Sequence, residues 1–172
     1  MEIADISATP VNMPLEAPFF WSAGAYPGTS RTVVQVLTRE GLVGLGEAPA
    51  AECASLIAEL FRPRLLGADA LDIEHCERAC VPETRIDRNS ASQSLLKAFG
   101  GVEMALWDLR GKAWGQPLYQ LLGGAARKHV AFTEYFAFRE PRGSVGGEST
   151  PAQVAAYCAR MRELYGSTWF EG

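Results

Sequence analysis

The 172 residues hold only two histidines, His75 and His129, and four cysteines. With so few imidazoles, no Ser-His-Asp or Cys-His arrangement stands out as a nucleophilic centre. Cys53, Cys76, Cys80 and Cys158 have neither the density of a disulfide framework nor a CxxC pair, and they read as reduced, buried thiols. A metal site from His75, Cys76 and Cys80 can be drawn, but Cys76 and Cys80 stand four apart in line with Ile73, which makes one apolar helix face. Lys/Arg clusters are missing, and the net charge of -4 is scattered rather than gathered in a run. That argues against nucleic-acid and anionic-membrane partners. No apolar run is long enough to cross a bilayer, and no basic segment precedes an apolar stretch near Met1, so the chain reads as cytoplasmic. Gly44-Leu45-Gly46 lacks the third glycine of a dinucleotide-binding loop and follows a hairpin rather than a βαβ unit.

What is present is an ordinary globular composition, 48% apolar and 21% charged, enough for a packed core. Strand-like runs come first: Ile3, Ile6, Ala8 and Val11, then RTVVQVLTR over 31–39 and LVGLGE over 42–47, flanking Glu40-Gly41. A glycine-containing turn between two β-rich runs predicts a hairpin and a small antiparallel sheet. Between the first and second runs, EAPFFWSAGAYPGTS over 16–30 shows no period and reads as a long aromatic loop. It is either a ligand lid or a loop pinned to the core by its own rings.

From Ala51 the period turns helical, with Ala54, Ile57, Ala58 and Phe61 in one segment and Ile73, Cys76 and Cys80 in the next. A polar stretch over 83–93 leads into a longer helix striped by Ala98, Val102, Ala105, Leu106, Leu109 and Ala113. Glu103 and Asp108 lie off this stripe, about 140° apart around the axis, and so do not converge on one proton. Asp108 is instead spaced for an i,i+4 ion pair with Lys112. Gly115, Pro117 and Gly123-Gly124 then read as a left-handed cap, the opening of a one-turn helix and its end.

Residues 130–139, VAFTEYFAFR, read as a strand, and 140–149 as a loop. Thr150-Pro151-Ala152-Gln153 forms a capping box ahead of a helix reaching Gly166, and TWFE over 168–171 resumes a strand. Strand, helix, strand implies a parallel sheet or barrel. One such unit is not a domain and a (β/α)₈ barrel takes about 250 residues, so the chain is expected to continue beyond Gly172. Tyr135 stands near the C-terminal half of its strand, where barrels place ligand contacts; a core tyrosine with a satisfied hydroxyl is the other reading.

Ala98 to Gly123, AFGGVEMALWDLRGKAWGQPLYQLLG, resembles the signature of the mandelate racemase/muconate lactonizing group of the enolase superfamily. RTVVQVLTREGLVGLGEAP resembles the hairpin of that group's capping domain. The resemblance implies an α+β capping domain over 1–129, a three-stranded antiparallel sheet plus a helical bundle. Over 130–172 it implies the truncated start of an α/β (β/α)₇β TIM-like barrel: first strand, first helix and the beginning of the second strand. It also implies an enzyme that removes a proton next to a carboxylate and holds the enediolate on Mg²⁺, in a homo-oligomer acting on a small carboxylate. No catalytic residue or metal ligand is expected within 1–172. Three acidic ligands are expected on later strands, and a Lys-x-Lys base just past Gly172, so these residues alone are expected to be inactive.

PFFWSAGAYPGTSRT is most similar to the lid of acid-sugar dehydratases of the glucarate dehydratase type, and Tyr135 matches a substrate-contacting tyrosine of that subgroup. A histidine common in that lid is replaced here by Gly24 or Ala25, which points to a related hydroxy acid rather than glucarate. The expected substrate-binding residues are Phe20, Trp21, Tyr26, Ser94 and Tyr135, and a second closing loop is expected over 48–53. The expected reaction is loss of the β-hydroxyl as water. The alternatives are a racemase, epimerase or muconate-type cycloisomerase on the same scaffold, and a non-catalytic binding or assembly module.

Overall fold

The computed structural model describes residues 1–81 and 90–171. The chain divides into two compact units, Met1–Asn12 with Ser30–Ala125, and Met13–Thr29 with Ala126–Gly172.

Three strands, β1 (Ile3–Trp21), β2 (Gly24–Thr38) and β3 (Val43–Ala48), form a sheet in that order. β2 and β3 pair antiparallel from Thr32↔Ala48 to Leu37↔Val43. The turn between them is Glu40-Gly41, with Gly41 at φ +87°, a left-handed conformation that favours glycine. Thr32, Val34, Val36 and Thr38 alternate onto the buried face. The two buried hydroxyls are satisfied: Thr32 Oγ1 donates to the Ala50 carbonyl at 2.7 Å, and Thr38 Oγ1 accepts from the Leu42 N–H at 3.2 Å.

Helix α1 (Cys53–Ser55) runs through a π-helical turn (Leu56–Phe61) into α2 (Arg62–Leu65). The wide turn meets Pro63, which has no N–H to continue an α-helical ladder. Asp72 caps α3 (Ile73–Cys80) by accepting from the His75 N–H at 3.0 Å. The apolar faces of these helices meet the stripe of the long helix α4 (Ser90–Trp114) over Val34 and Val36. A single turn, α5 (Leu118–Leu121), follows, with Gly115 left-handed at φ +61° as read from the sequence. The polar connection read over 83–89 lies outside the described residues.

α4 sits on β3 almost backbone to backbone. A methyl group at Gly44 would fall on the Ala105 carbonyl, one at Gly46 on the Gly101 carbonyl, and one at Gly101 would meet Ala48 Cβ at 2.9 Å. Asp108 and Lys112 then close over the strand. Asp108 Oδ2 accepts from the Leu45 N–H at 2.8 Å and from Lys112 Nζ at 2.6 Å, and Lys112 Nζ also donates to the Val43 carbonyl at 2.7 Å.

In the second unit, β4 (Thr133–Tyr135) pairs in parallel with β5 (Trp169–Glu171), and α6 (Pro151–Tyr165) joins them. Both halves of the Thr150/Gln153 capping box are made, and Gly166 ends α6 at φ +67°.

Two sequence expectations are corrected. The stretch 16–30 is not a loop: β1 continues to Trp21 and β2 begins at Gly24, so the aromatics lie on the arms of a long hairpin. Val11, Met13, Leu15, Ala17 and Phe19 do alternate, but Pro10, Pro14 and Pro18 interrupt the pattern with residues that suit only a strand edge. Only Thr133–Tyr135 of the run 130–139 enters the parallel ladder. Phe138–Glu140 bonds to the hairpin instead, through the Phe20 N–H to the Phe138 carbonyl and the Glu140 N–H to the Pro18 carbonyl, both at 2.8 Å.

Adjacent glycines on α4 will respond oppositely to a methyl group. Gly100→Ala meets nothing within 4 Å and should stabilise the helix by about 0.5–1 kcal/mol. Gly101→Ala forces α4 off Ala48 and should cost about 1–3 kcal/mol, both read by urea denaturation. Burial pushes the Cys76 thiol up to about 11 and the Cys80 thiol up to about 12. Iodoacetamide at pH 8 should therefore modify the half-buried Cys158 well before Cys53, Cys76 or Cys80, as read by peptide mass spectrometry.

Candidate functional site

The cavity with the strongest claim to a ligand lies wholly within the second unit. It encloses about 550 Å³ between the hairpin residues Phe20 and Trp21, the strand end Tyr135–Phe138, and Pro151, Val154, Ala155 and Cys158 of α6. Its lining side chains are uncharged, and its walls are mostly aromatic and aliphatic. Phe20, Trp21, Tyr135 and Phe138 are exposed along it, so the cavity is open on that side and offers a ligand apolar surface.

Three of the five expected site residues meet here: Phe20, Trp21 and Tyr135. Tyr26 stands behind them, with its ring 5.1 Å from Phe19 and 6.3 Å from Trp21. Phe19 in turn lies edge-on to Tyr135 at 6.0 Å. These spacings fall in the range of favourable tilted aromatic pairs, so the rings support one another as a set. Ser94 is placed on α4, in the first unit. Thr32 and Arg31 hold the 48–53 segment to the sheet, Arg31 Nη1 donating to the Pro49 carbonyl at 3.0 Å.

A polar cluster that sequence reading missed lies behind the hairpin arm. Arg139 makes a two-pronged ion pair with Glu148, Nε to Oε2 at 2.8 Å and Nη2 to Oε1 at 2.9 Å, with both side chains largely buried. The guanidinium also covers the Tyr157 ring at 4.5 Å, and the Tyr157 hydroxyl donates to Glu134 Oε1 at 3.1 Å. Arg139 holds the Glu148 carboxyl below its ordinary value. A carboxylate with a depressed folded pKa stabilises fully above its unfolded pKa, and that contribution is lost as pH falls through the lower, folded value. The pair is therefore intact at neutral pH and fails only in acid. No short motif announces it: the partners stand nine apart across a glycine-containing loop.

Glu103 and Asp108 are structural, as their spacing implied. Glu103 accepts from Trp107 Nε1 at 3.2 Å, while Asp108 bonds β3 and Lys112. Among the described residues no group of three or more His, Cys, Asp or Glu side chains is placed to hold a metal ion. Among the described residues the Mg²⁺ implied by the resemblance thus has no ligand set, and no chemical step is routed through it.

Known proteins share both the sequence and the fold. Residues 3–123 match the family model described as mandelate racemase / muconate lactonizing enzyme, N-terminal domain. A D-galactonate dehydratase family member from Paenibacillus sp. (strain JDR-2) is 44% identical over 105 residues, 58% of this chain and 25% of that protein. A D-mannonate dehydratase from Sphingomonas sp. (strain SKA58) is 36% identical over 108 residues, 60% of this chain and 26% of that protein. An enolase from Thermobispora bispora DSM 43833, crystallised with magnesium and formate, superposes with a TM-score of 0.86 at 26% identity, over 99% of this chain and 44% of its own. The matched stretch is thus about a quarter of the curated relatives' length. The fold is the capping α+β fold followed by the first elements of a barrel, and the chain belongs to the mandelate racemase/muconate lactonizing enzyme family of the enolase superfamily.

Proposed function

We propose that the protein is a Mg²⁺-dependent acid-sugar dehydratase, and that 1–172 supplies mainly its specificity surface. The reaction removes the proton next to the substrate carboxylate and expels the β-hydroxyl as water, leaving an enol that becomes a 2-keto-3-deoxy acid. The observation that carries this reading is the aromatic cavity beside Tyr135, in a family whose matched relatives include a D-galactonate dehydratase family member and a D-mannonate dehydratase. Phe20 and Trp21 form the apolar wall, Tyr26 braces it, and the Tyr135 hydroxyl is the polar group offered at its edge. Ser94, outside this cavity on α4 of the first unit, is assigned a hydroxyl role by the family resemblance alone.

In this reading 1–129 is the capping domain and 130–172 the start of the barrel. The base and the metal ligands are assigned to sequence following residue 172, and the enzyme works as a cytoplasmic homo-oligomer.

Incubating the polypeptide of the whole reading frame with Mg²⁺ and a panel of aldonic and aldaric acids should yield a 2-keto-3-deoxy acid from at least one, with activity lost on chelation. Loss of an α-deuterium label with the β-hydroxyl retained would select a racemase or epimerase instead. A fragment ending at Gly172 should be inactive on every substrate. Trp21→Ala should raise KM about tenfold, the equivalent of roughly 1.4 kcal/mol of apolar contact, with a smaller effect on kcat.

A further inference from the structure

The aromatic hairpin is held at several points from one side. Its first arm pairs with Phe138–Glu140 through the two 2.8 Å backbone bonds and an antiparallel bridge between Phe19 and Arg139. Further along, Arg142 Nη1 donates to the Leu15 carbonyl at 2.9 Å. Ala17 is only 4% exposed and packs so closely on Gly146, at φ +76°, that a methyl group there would stand 2.7 Å from Ala17 Cβ and fall on the Glu140 carbonyl. The segment doing this holding is itself folded back. Arg139 N–H donates to the Glu148 carbonyl at 3.0 Å, Gly147 N–H to the Arg139 carbonyl at 3.1 Å, and Arg142 N–H to the Val145 carbonyl at 2.8 Å. The Arg139–Glu148 ion pair locks that fold, and Tyr157 of α6 lies against the guanidinium.

We propose that Arg139 and Glu148 are positioning residues, a buckle that holds the Phe20–Trp21 arm at a fixed distance from Tyr135 and so sets the width of the cavity. Neither side chain lines the cavity. They act through the backbone of 138–140, one residue of which, Phe138, also lines it. The hairpin is therefore a fixed wall along Leu15–Trp21, the end of β1, and any give is confined to the turn at Ser22–Ala23. That the cavity's occupant is an acid sugar rests on the function proposed above; the buckle itself does not.

The test uses the full polypeptide and two independent readouts. The first needs no substrate: native-state chymotrypsin cleavage after Phe19, Phe20 or Trp21, mapped by mass spectrometry. Glu148→Ala should speed it at least about tenfold, the factor expected when local opening becomes easier by about 1.4 kcal/mol. Glu148→Gln, which keeps an acceptor for Arg139, should fall between Glu148→Ala and the parent. The second is steady-state kinetics on whichever acid sugar is turned over, where Glu148→Ala should raise KM several-fold with kcat kept within about twofold.

An unpaired buried Arg139 is costly, so Arg142→Ala is the companion variant. It removes one exposed tether to Leu15 and leaves the ion pair, and it too should speed cleavage. Unchanged cleavage in Arg142→Ala and in every folded Glu148 variant overturns the proposal, as does a fall in kcat with KM unmoved. Accelerated cleavage in a protein that dehydrates no acid sugar upholds the buckle and sinks the proposed activity.

Discussion

The first unit depends on how closely α4 can approach β3. Side chains normally keep a helix and a sheet apart, but at Gly44, Gly46 and Gly101 there are none: carbonyls of α4 occupy the space a Cβ would need at Gly44 and Gly46, and Ala48 of β3 occupies it at Gly101. That contact fixes the height of the helix over the sheet and its position along it. Val102, Leu106 and Leu109 can then reach the buried face beside Val34 and Val36, with Ile57, Phe61 and Leu65 closing the layer above. Burial of this size, at about 25 cal/mol per Å² of apolar surface, drives the packing. The glycines decide which packing.

Much of this was readable from the residues. Period two in β2, the Glu40-Gly41 turn, the α4 stripe, the Gly115 and Gly123-Gly124 stops and the Thr150/Gln153 box are local codes, each carried by a few neighbouring side chains. They reappear in the structure with the geometry those codes demand. What failed to show was non-local. The alternation from Val11 to Phe19 was hidden by Pro14 and Pro18, with Pro10 just ahead of it, and nothing near residue 20 says that its N–H bonds to residue 138. The pairing of Arg139 with Glu148 is equally silent, because a salt bridge across a loop has no fixed spacing in the way an i,i+4 pair does.

The candidate site shows the same division. Phe20, Trp21 and Tyr135 stood out as aromatics set among glycine and proline or on a barrel-like strand, and the cavity unites them. Phe136, Phe138, Val154 and Cys158 were visible only as apolar residues of their own elements, since a shared cavity is a property of the tertiary fold. Tyr26, singled out with the other aromatics of 16–30, packs against Phe19 and Trp21.

Asp108 and Lys112 carry a further consequence. β3 is the last strand of its sheet, and at Val43 and Leu45 the outward carbonyl and N–H, the groups that would recruit a fourth strand, are already taken by these two side chains. An open edge is the usual template for accidental pairing between molecules. Here one i,i+4 ion pair insulates it, so the acidic residue that most invites a catalytic reading guards the protein against aggregation.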